Sequence, residues 1–391
     1  MRVLFVPFYK GNIAHHIPLL ALEKMLAETP AETAFMLRAD MQPLFRSLGA
    51  NVLDIPHEGF RSEMKAYAEF SPDVVVDDYN FLSTSFATQL AGVPRVTIQR
   101  TGIFPGSKPR NANHRDSGWD LDLVVKAIPA LSDLGLPQPQ SPSDLFDARI
   151  KIVPGIRLIE LLPPPLEDDP TYVFSGPLLA DDLLITQIGR SGWKDFKIGP
   201  SRDFSSLKMF LDKNRRRKIV YVTVGTLADA HGVLLDCMRW LLETGFAIIS
   251  SVRLREDRAA QSESYYYAPY LPMHFVCSNA DLMIHHCGSG TYHYPILHEL
   301  AMITVGTMSY DRDDVAERLQ ELGATVHLPA PDENPEFMQA FKAAIGNYFE
   351  SSGDFRRRKV ESLSRLNKEV QRTASEFHFA EVLSRAIDSP R

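Results

Sequence analysis

Asp281-Leu282-Met283-Ile284-His285-His286-Cys287-Gly288-Ser289-Gly290-Thr291 is the stretch on which the reading of this 391-residue chain turns. Asp281 to His285 reads as an apolar strand, and the glycines after it form a tight turn before a helix. Such a turn exposes unpaired backbone N–H groups and faces the positive end of the helix dipole. It can hold a diphosphate, and residues without a Cβ let phosphate oxygens approach closely. His286, Gly288, Ser289, Gly290 and Thr291 are therefore candidate phosphate contacts. Taken alone, the motif also fits a tight turn that binds nothing.

Outward from this stretch the second half of the chain alternates. Lys218 to Val224 is a strand ending in Gly225-Thr226, Leu234 to Glu243 a helix, and Phe246 to Val252 a strand. Met302 to Gly306 is a further strand and Asp313 to Leu322 a helix, and the tail from about Glu336 to Ile387 is mostly helical. The first half has the same rhythm. Strands at Arg2–Phe8, Val74–Val76 and Arg95–Gln99 are separated by helices at Ile17–Ala27 and Ser83–Ala91. Strand–helix–strand at this spacing means parallel sheets with crossover helices. The predicted fold is α/β, with two Rossmann-like doubly wound domains facing across a cleft. The expected domains are 1–205 and 206–372, followed by a terminal helical segment 373–391. In such folds ligands sit beyond the carboxyl ends of the strands.

Composition narrows the function. A chain of 391 residues exceeds one ordinary core, and 45% hydrophobic with 23% charged residues suits a folded enzyme rather than a disordered chain. A formal charge of −7 speaks against a nucleic-acid partner. Cys237, Cys277 and Cys287 form no CxxC pair and no metal knuckle, and a low, odd count suits a reducing compartment. The apolar start, Met1 to Phe8, is too short for a signal peptide, and no apolar run is long enough to span a membrane. The expectation is a cytoplasmic protein without a bound metal or transmembrane segment. A homodimer stays open.

Two further clusters carry chemistry. His15-His16-Ile17-Pro18 follows the first strand, where a histidine could take a proton from a hydroxyl near neutral pH. Asp77-Asp78 ends the Val74 strand, where a carboxylate could stabilise the cationic form of such a histidine. The plainer readings are a structural histidine and a helix start favoured by negative charge.

Taken together these residues resemble the GT-B glycosyltransferases of the UDP-glycosyltransferase superfamily, with the bacterial natural-product members most similar. The stretch 281–291 resembles their donor-site signature, preceded by Pro272-Met273-His274 and followed by Asp311. His15 and Pro18 resemble the family's Gly-His-x-x-Pro loop, Asp78 stands before Gly92-Val93-Pro94, and Gly225-Thr226 resembles its strand-end Gly-Thr. The resemblance implies an inverting, metal-independent transfer of a sugar from a UDP- or dTDP-sugar to a small-molecule hydroxyl. The nucleotide sugar is a co-substrate, and no other cofactor is implied. His15 would be the general base and Asp78 its partner. His286, Gly288, Ser289, Gly290 and Thr291 would hold the diphosphate, with Gly225 and Thr226 beside them. Leu271 and Met273 would lie near the base, Asp311 would contact the sugar, and the terminal helical segment 373–391 would return to the first domain.

The chain departs from the pattern at Ala14, at Tyr294 where many members have a glutamate for the ribose, and at Arg312 where a glutamine usually meets the sugar. A deoxysugar on a dTDP carrier, or a donor whose negative group pairs with Arg312, fits these departures. The proline-rich stretch Phe104 to Asp147 is the expected acceptor wall, with Arg110, His114 and Arg115 as candidate contacts. Two alternatives compete: a nucleotide-sugar epimerase of GT-B architecture, which would not need the His15 loop, and a non-catalytic nucleotide-sugar binder. The basic runs at 215–218 and 356–359 read as solvated helix ends.

Overall fold

The computed structural model describes the chain apart from residues 9–12, 79–80, 109, 111–134, 137–138, 140–141, 181–203, 225–230, 255–262, 269, 350–352 and 390–391. The short helix expected near Asp120 to Leu131 lies outside the described residues. The chain divides into two compact units, residues 1–108, 117–180 and 372–391 in the first, and 109–116 and 181–371 in the second.

In the first unit the order is β1 (Arg2–Pro7), α1 (Ile17–Met25), β2 (Glu32–Phe35), α2 (Gln42–Ser47), α3 (Phe60–Phe70), β3 (Val74–Asp78), α4 (Phe81–Ala91), β4 (Arg95–Ile98), α5 (Pro142–Leu145), β5 (Ile150–Val153) and β6 (Tyr172–Phe174). The sheet order is β2-β1-β3-β4-β5-β6, every pair parallel. Val3 to Val6 and Val74 to Val76 are fully buried, as central parallel strands covered on both faces require.

The second unit runs α6 (Phe204–Asn214), β7 (Ile219–Thr223), α7 (His231–Glu243), β8 (Ala247–Ser250), β9 (Tyr265–Tyr267), α8 (Met273–Cys277), β10 (Leu282–His285), α9 (His293–Leu297), β11 (Met302–Val305), α10 (Tyr310–Glu321), β12 (Thr325–Leu328), α11 (Phe337–Phe349) and α12 (Asp354–Glu376). Its sheet, β12-β11-β10-β7-β8-β9, is again all parallel. One core cluster joins Val220, Val222, Leu234, Met238, Leu241, Ile284, Ile303 and Phe341.

The last helix, α13 (Phe379–Asp388), belongs to the first unit. Phe379, Val382, Leu383 and Ala386 are its buried residues, spaced to share one face. The Phe379 ring lies 6.4 Å from that of Phe5. Arg149 fastens the far end by donating to the Ala386 carbonyl at 3.1 Å.

Gly306 sets the limit of packing at the end of β11. A Cβ there would stand 2.6 Å from the Ala330 backbone nitrogen and 3.0 Å from the Pro329 carbonyl carbon, neither of which can rotate away. Gly306→Ala is therefore expected to destabilise the protein by about 1–3 kcal/mol, as overpacking does. Urea unfolding measures this, and an unchanged midpoint would show that the backbone yields.

Candidate active site

Each sheet changes direction once. In the first, β1 lies between β2 and β3, so the chain leaves β1 toward one edge and β3 toward the other. In the second, β7 lies between β8 and β10 in the same way. At such a switch point the diverging connections leave a crevice beyond the strand ends. His15 and Asp78 follow or end β1 and β3, and the stretch 286–291 follows β10.

In the first unit, register pairs Pro7 with Asp78. The connection from β1 ends in one 3-10 turn, Ile13–His15, before α1 opens with Pro18 in its first turn. The adjacent histidines part there. His16 is buried, its ring 5.9 Å from Phe45. The His15 side chain is 24% exposed, and its Nδ1 lies 3.6 Å from Oδ1 of Asp78. The edge of its ring meets Phe8 at 5.8 Å.

Asp77 and Asp78 are both fully buried, on opposite faces of β3. Asp77 accepts a two-pronged bond from Arg95, at 2.8 and 3.0 Å, and serves the core. Asp78 accepts a second such fork, from Arg100, at 2.7 Å to Oδ1 and 2.6 Å to Oδ2. Burial by itself pushes the Asp78 carboxyl up. The Arg100 charge, the nearby His15 ring and the Arg100 hydrogen bonds outweigh it and hold Asp78 below the usual carboxylate range. Sequence reading missed Arg100. The one available signal is a cation two residues past Ile98, which pairs in register with Asp78.

In the second unit, His285 is opposite Thr223 in register. Its Nδ1 accepts the Cys287 N–H at 3.1 Å, which puts the ring proton on Nε2, 3.3 Å from the Met302 sulfur. This bond holds Cys287 at φ 59°, a left-handed conformation that opens the turn. Burial lowers the pKa of His285 to about 3. Burial, then the Arg312 charge and the neighbouring His285 ring, lower that of His286 to about 3 against a Thr223 backbone acceptor. Both rings are neutral.

The turn itself differs from expectation in two respects. The Thr291 and Tyr292 N–H groups fold back onto the Gly288 carbonyl, at 2.8 and 3.2 Å. Those of Gly288, Ser289 and Gly290 make no hydrogen bond among the described residues. The following helix, α9, has only 5 residues, so its dipole adds little. The glycines also differ in purpose. A Cβ at Gly288 would come within 2.9 Å of His286 Nε2, whereas one at Gly290 would meet nothing within 4 Å among the described residues.

The remaining candidates divide. Arg312 is half-buried with no hydrogen bond or ion pair from its side chain among the described residues, and its charge reaches His286. Asp311 accepts from Ser309 Oγ at 2.7 Å. Asp313, next to Arg312, pins the start of α10 by accepting the Thr307 N–H at 2.9 Å. Leu271 is buried, and the Met273 sulfur accepts from the Tyr221 hydroxyl at 2.6 Å. Tyr294 is buried against the His274 ring, and its hydroxyl has no hydrogen-bond partner among the described residues. Arg110 pairs with Glu321, and its N–H faces both oxygens of Asp314 at 3.2 Å. Gly225, Thr226, His114 and Arg115 lie outside the described residues. No group of three or more His, Cys, Asp or Glu among the described residues could hold a metal ion, and none of their helices is long and apolar enough to cross a membrane.

The neutral histidine pair makes stability depend on pH with a definite sign. Their folded-state pKa values lie below the ordinary 6.5, so the unfolded chain takes up protons first. The stability they confer is present above about pH 6.5 and is lost as pH falls toward about 3, by up to about 1.4 kcal/mol per unit for each ring. His285→Asn keeps an acceptor for the Cys287 N–H and cannot titrate. Its urea-unfolding free energy should fall less steeply than the parent's between pH 6.5 and 4.5, and equal slopes would show that His285 does not resist its proton.

Residues 243–365 match the family described as erythromycin biosynthesis protein CIII-like, C-terminal domain. No curated protein sequence matches the chain. Solved structures match it over nearly their whole lengths. The spinosyn forosaminyltransferase SpnP is 14% identical with a TM-score of 0.69, covering 100% of each chain. The glycosyltransferase VinC, solved in complex with dTDP, is 14% identical with a TM-score of 0.68 over 99% of each. The spinosyn rhamnosyltransferase SpnG, solved with thymidine diphosphate, is 15% identical with a TM-score of 0.66, covering 96% of this chain and 98% of its own. The fold implied by the sequence resemblance is therefore the observed one: the chain has the GT-B fold, and its residues 243–365 are similar to the erythromycin biosynthesis protein CIII-like C-terminal domain.

Proposed function

We propose that the protein is a glycosyltransferase that moves a sugar from a nucleoside diphosphate to a hydroxyl of a small natural-product-type acceptor, with inversion and without a metal ion. The observation that carries this reading is the His15–Asp78 pair at the β1/β3 switch point, 3.6 Å apart, on a fold shared with glycosyltransferases. His15 takes the proton of the acceptor hydroxyl as its oxygen attacks the anomeric carbon, and the diphosphate leaves. Asp78 stabilises the imidazolium that results. In the second unit the N–H groups of Gly288, Ser289 and Gly290 receive the diphosphate charge.

A TDP-linked donor is favoured, since VinC and SpnG were solved with that diphosphate. Arg312, with no side-chain ion pair among the described residues, suits either the diphosphate or a sugar bearing a carboxylate. A panel of TDP- and UDP-sugars, neutral and carboxylate-bearing, read by mass spectrometry with and without acceptor hydroxyl compounds, tests the whole reading. Conversion of the donor sugar without acceptor would make the protein an epimerase. Binding without any turnover would make it a nucleotide-sugar binder.

Gly290 provides a clean test of the phosphate turn, because no atom of the described residues lies within 4 Å of where its Cβ would stand. Gly290→Val should keep the parent's unfolding midpoint and lose nucleoside diphosphate binding by calorimetry. Undiminished affinity would remove the turn from the donor site. For the base, His15→Ala should slow turnover by about 10²–10⁴-fold with donor affinity intact, and Asp78→Asn by less. His16→Ala, a packing residue, should stay within about tenfold. If His16→Ala is the inactive variant and His15→Ala nearly normal, the base has been assigned to the wrong histidine.

A further inference from the structure

The Arg100 fork deepens the reading of His15 as the base, and rests on it. Three nitrogens, two of Arg100 and one of His15, converge on the Asp78 carboxylate. Arg100 donates to both oxygens, and His15 Nδ1 approaches Oδ1 from a third direction at 3.6 Å. The Asp78 side chain is 0% exposed and that of Arg100 12%. An ionised carboxylate has room for all three, since each oxygen accepts more than one hydrogen bond. We propose that Arg100 is a positioning residue of the His15–Asp78 pair, one that keeps the buried carboxylate ionised, fixes its orientation toward His15, and balances its charge until a proton arrives.

The physical case has three parts. A carboxylate with no water and no cation beside it keeps its proton. A protonated Asp78 would have no charge to offer an imidazolium. A guanidinium also binds a carboxylate in a planar fork, which sets the rotation of the acid as a lone ammonium cannot. Finally, His15 at rest faces an ion pair rather than a bare anion. A bare buried anion 3.6 Å away would draw a proton onto the ring and leave no base for the acceptor.

The surroundings leave this role to Arg100. The charges that act on Asp78 are those of Arg100 and His15. Asp77, one residue back on β3, faces the other way and is held by Arg95. Glu160 accepts the N–H and hydroxyl of Thr101, at 2.9 and 2.6 Å, and so anchors the segment that carries Arg100. His16 is buried against Phe45 and lies off the pair. The two forks make an internal comparison: Arg95 grips Asp77 side-on through Nε and Nη2, whereas Arg100 grips Asp78 end-on through Nη1 and Nη2, the fork beside which His15 lies.

The test uses the full chain and the variants Arg100→Met, Arg100→Lys, Asp78→Asn and Asp78→Asn/Arg100→Met. In Arg100→Met, kcat should fall about tenfold or more with the donor KM within about twofold. The acidic limb of kcat/KM should move to higher pH, because the uncompensated anion holds a proton on the pair. Arg100→Lys should restore the limb but not the full rate, since it returns the charge without the fork. In the Asp78→Asn background, Arg100→Met should add less than about threefold, because its partner is already gone.

Equal losses in both backgrounds, or an unmoved limb, would overturn the proposal. Arg100→Gln, which keeps a hydrogen bond without the charge, stands in where Arg100→Met does not fold. Spectra of protein labelled at the histidine Cε1 give a readout without turnover. The His15 signal, identified by its loss in His15→Gln, should respond to pH over a higher range in Arg100→Met than in the parent, and an identical range would also overturn the proposal. If no donor is turned over but the His15 signal moves as stated, the transferase reading fails while the charge balance stands.

Discussion

Parallel strands cannot be joined by tight turns, and this constraint governs the molecule. Each strand must be followed by a crossover on one face of the sheet, so all strands of a sheet end on the same edge. Where the order reverses, between β1 and β3 and between β7 and β10, the connections part and leave that edge open. Both candidate centres lie on such edges. Their position follows from topology before any side chain is considered.

The two centres solve the problem of burying polar groups in different ways. At the end of β3 the charges stay, each balanced by a planar cation: Asp77 by Arg95 and Asp78 by Arg100. Removing one member of such a pair strands the other, a loss of about 3–5 kcal/mol. After β10 the charges are absent instead. His285 and His286 are held neutral by burial, and the first of them shapes the turn through the Cys287 N–H. A neutral turn with free N–H groups can take up the charge of an arriving anion, whereas the β3 site must manage a charge that is always present.

The glycine turn shows how one sequence pattern can have two physical causes. Both glycines fit the expectation that phosphate oxygens need room. Only Gly290 has open space where its side chain would be. Gly288 is required first by the His286 ring packed against it, a contact internal to the protein. The pattern was visible in the sequence, but its division of labour was not.

What the sequence alone determined was the order and kind of the central elements. Val3–Val6, Val74–Val76 and Leu282–His285 are continuous apolar runs, because strands covered on both faces and paired on both sides need them. β2, β5, β6, β9 and β12 went unread; each is only 3 or 4 residues long, and all but β5 are outermost strands of their sheets. The spacing of His15, Asp78 and the 286–291 turn was legible because each follows or ends a central strand. The tertiary structure alone decided that Arg100, 22 residues beyond Asp78, is its partner and that Arg312 acts on His286. Charge pairing in a buried site depends on distance through space, which parallel register sets and linear spacing does not record.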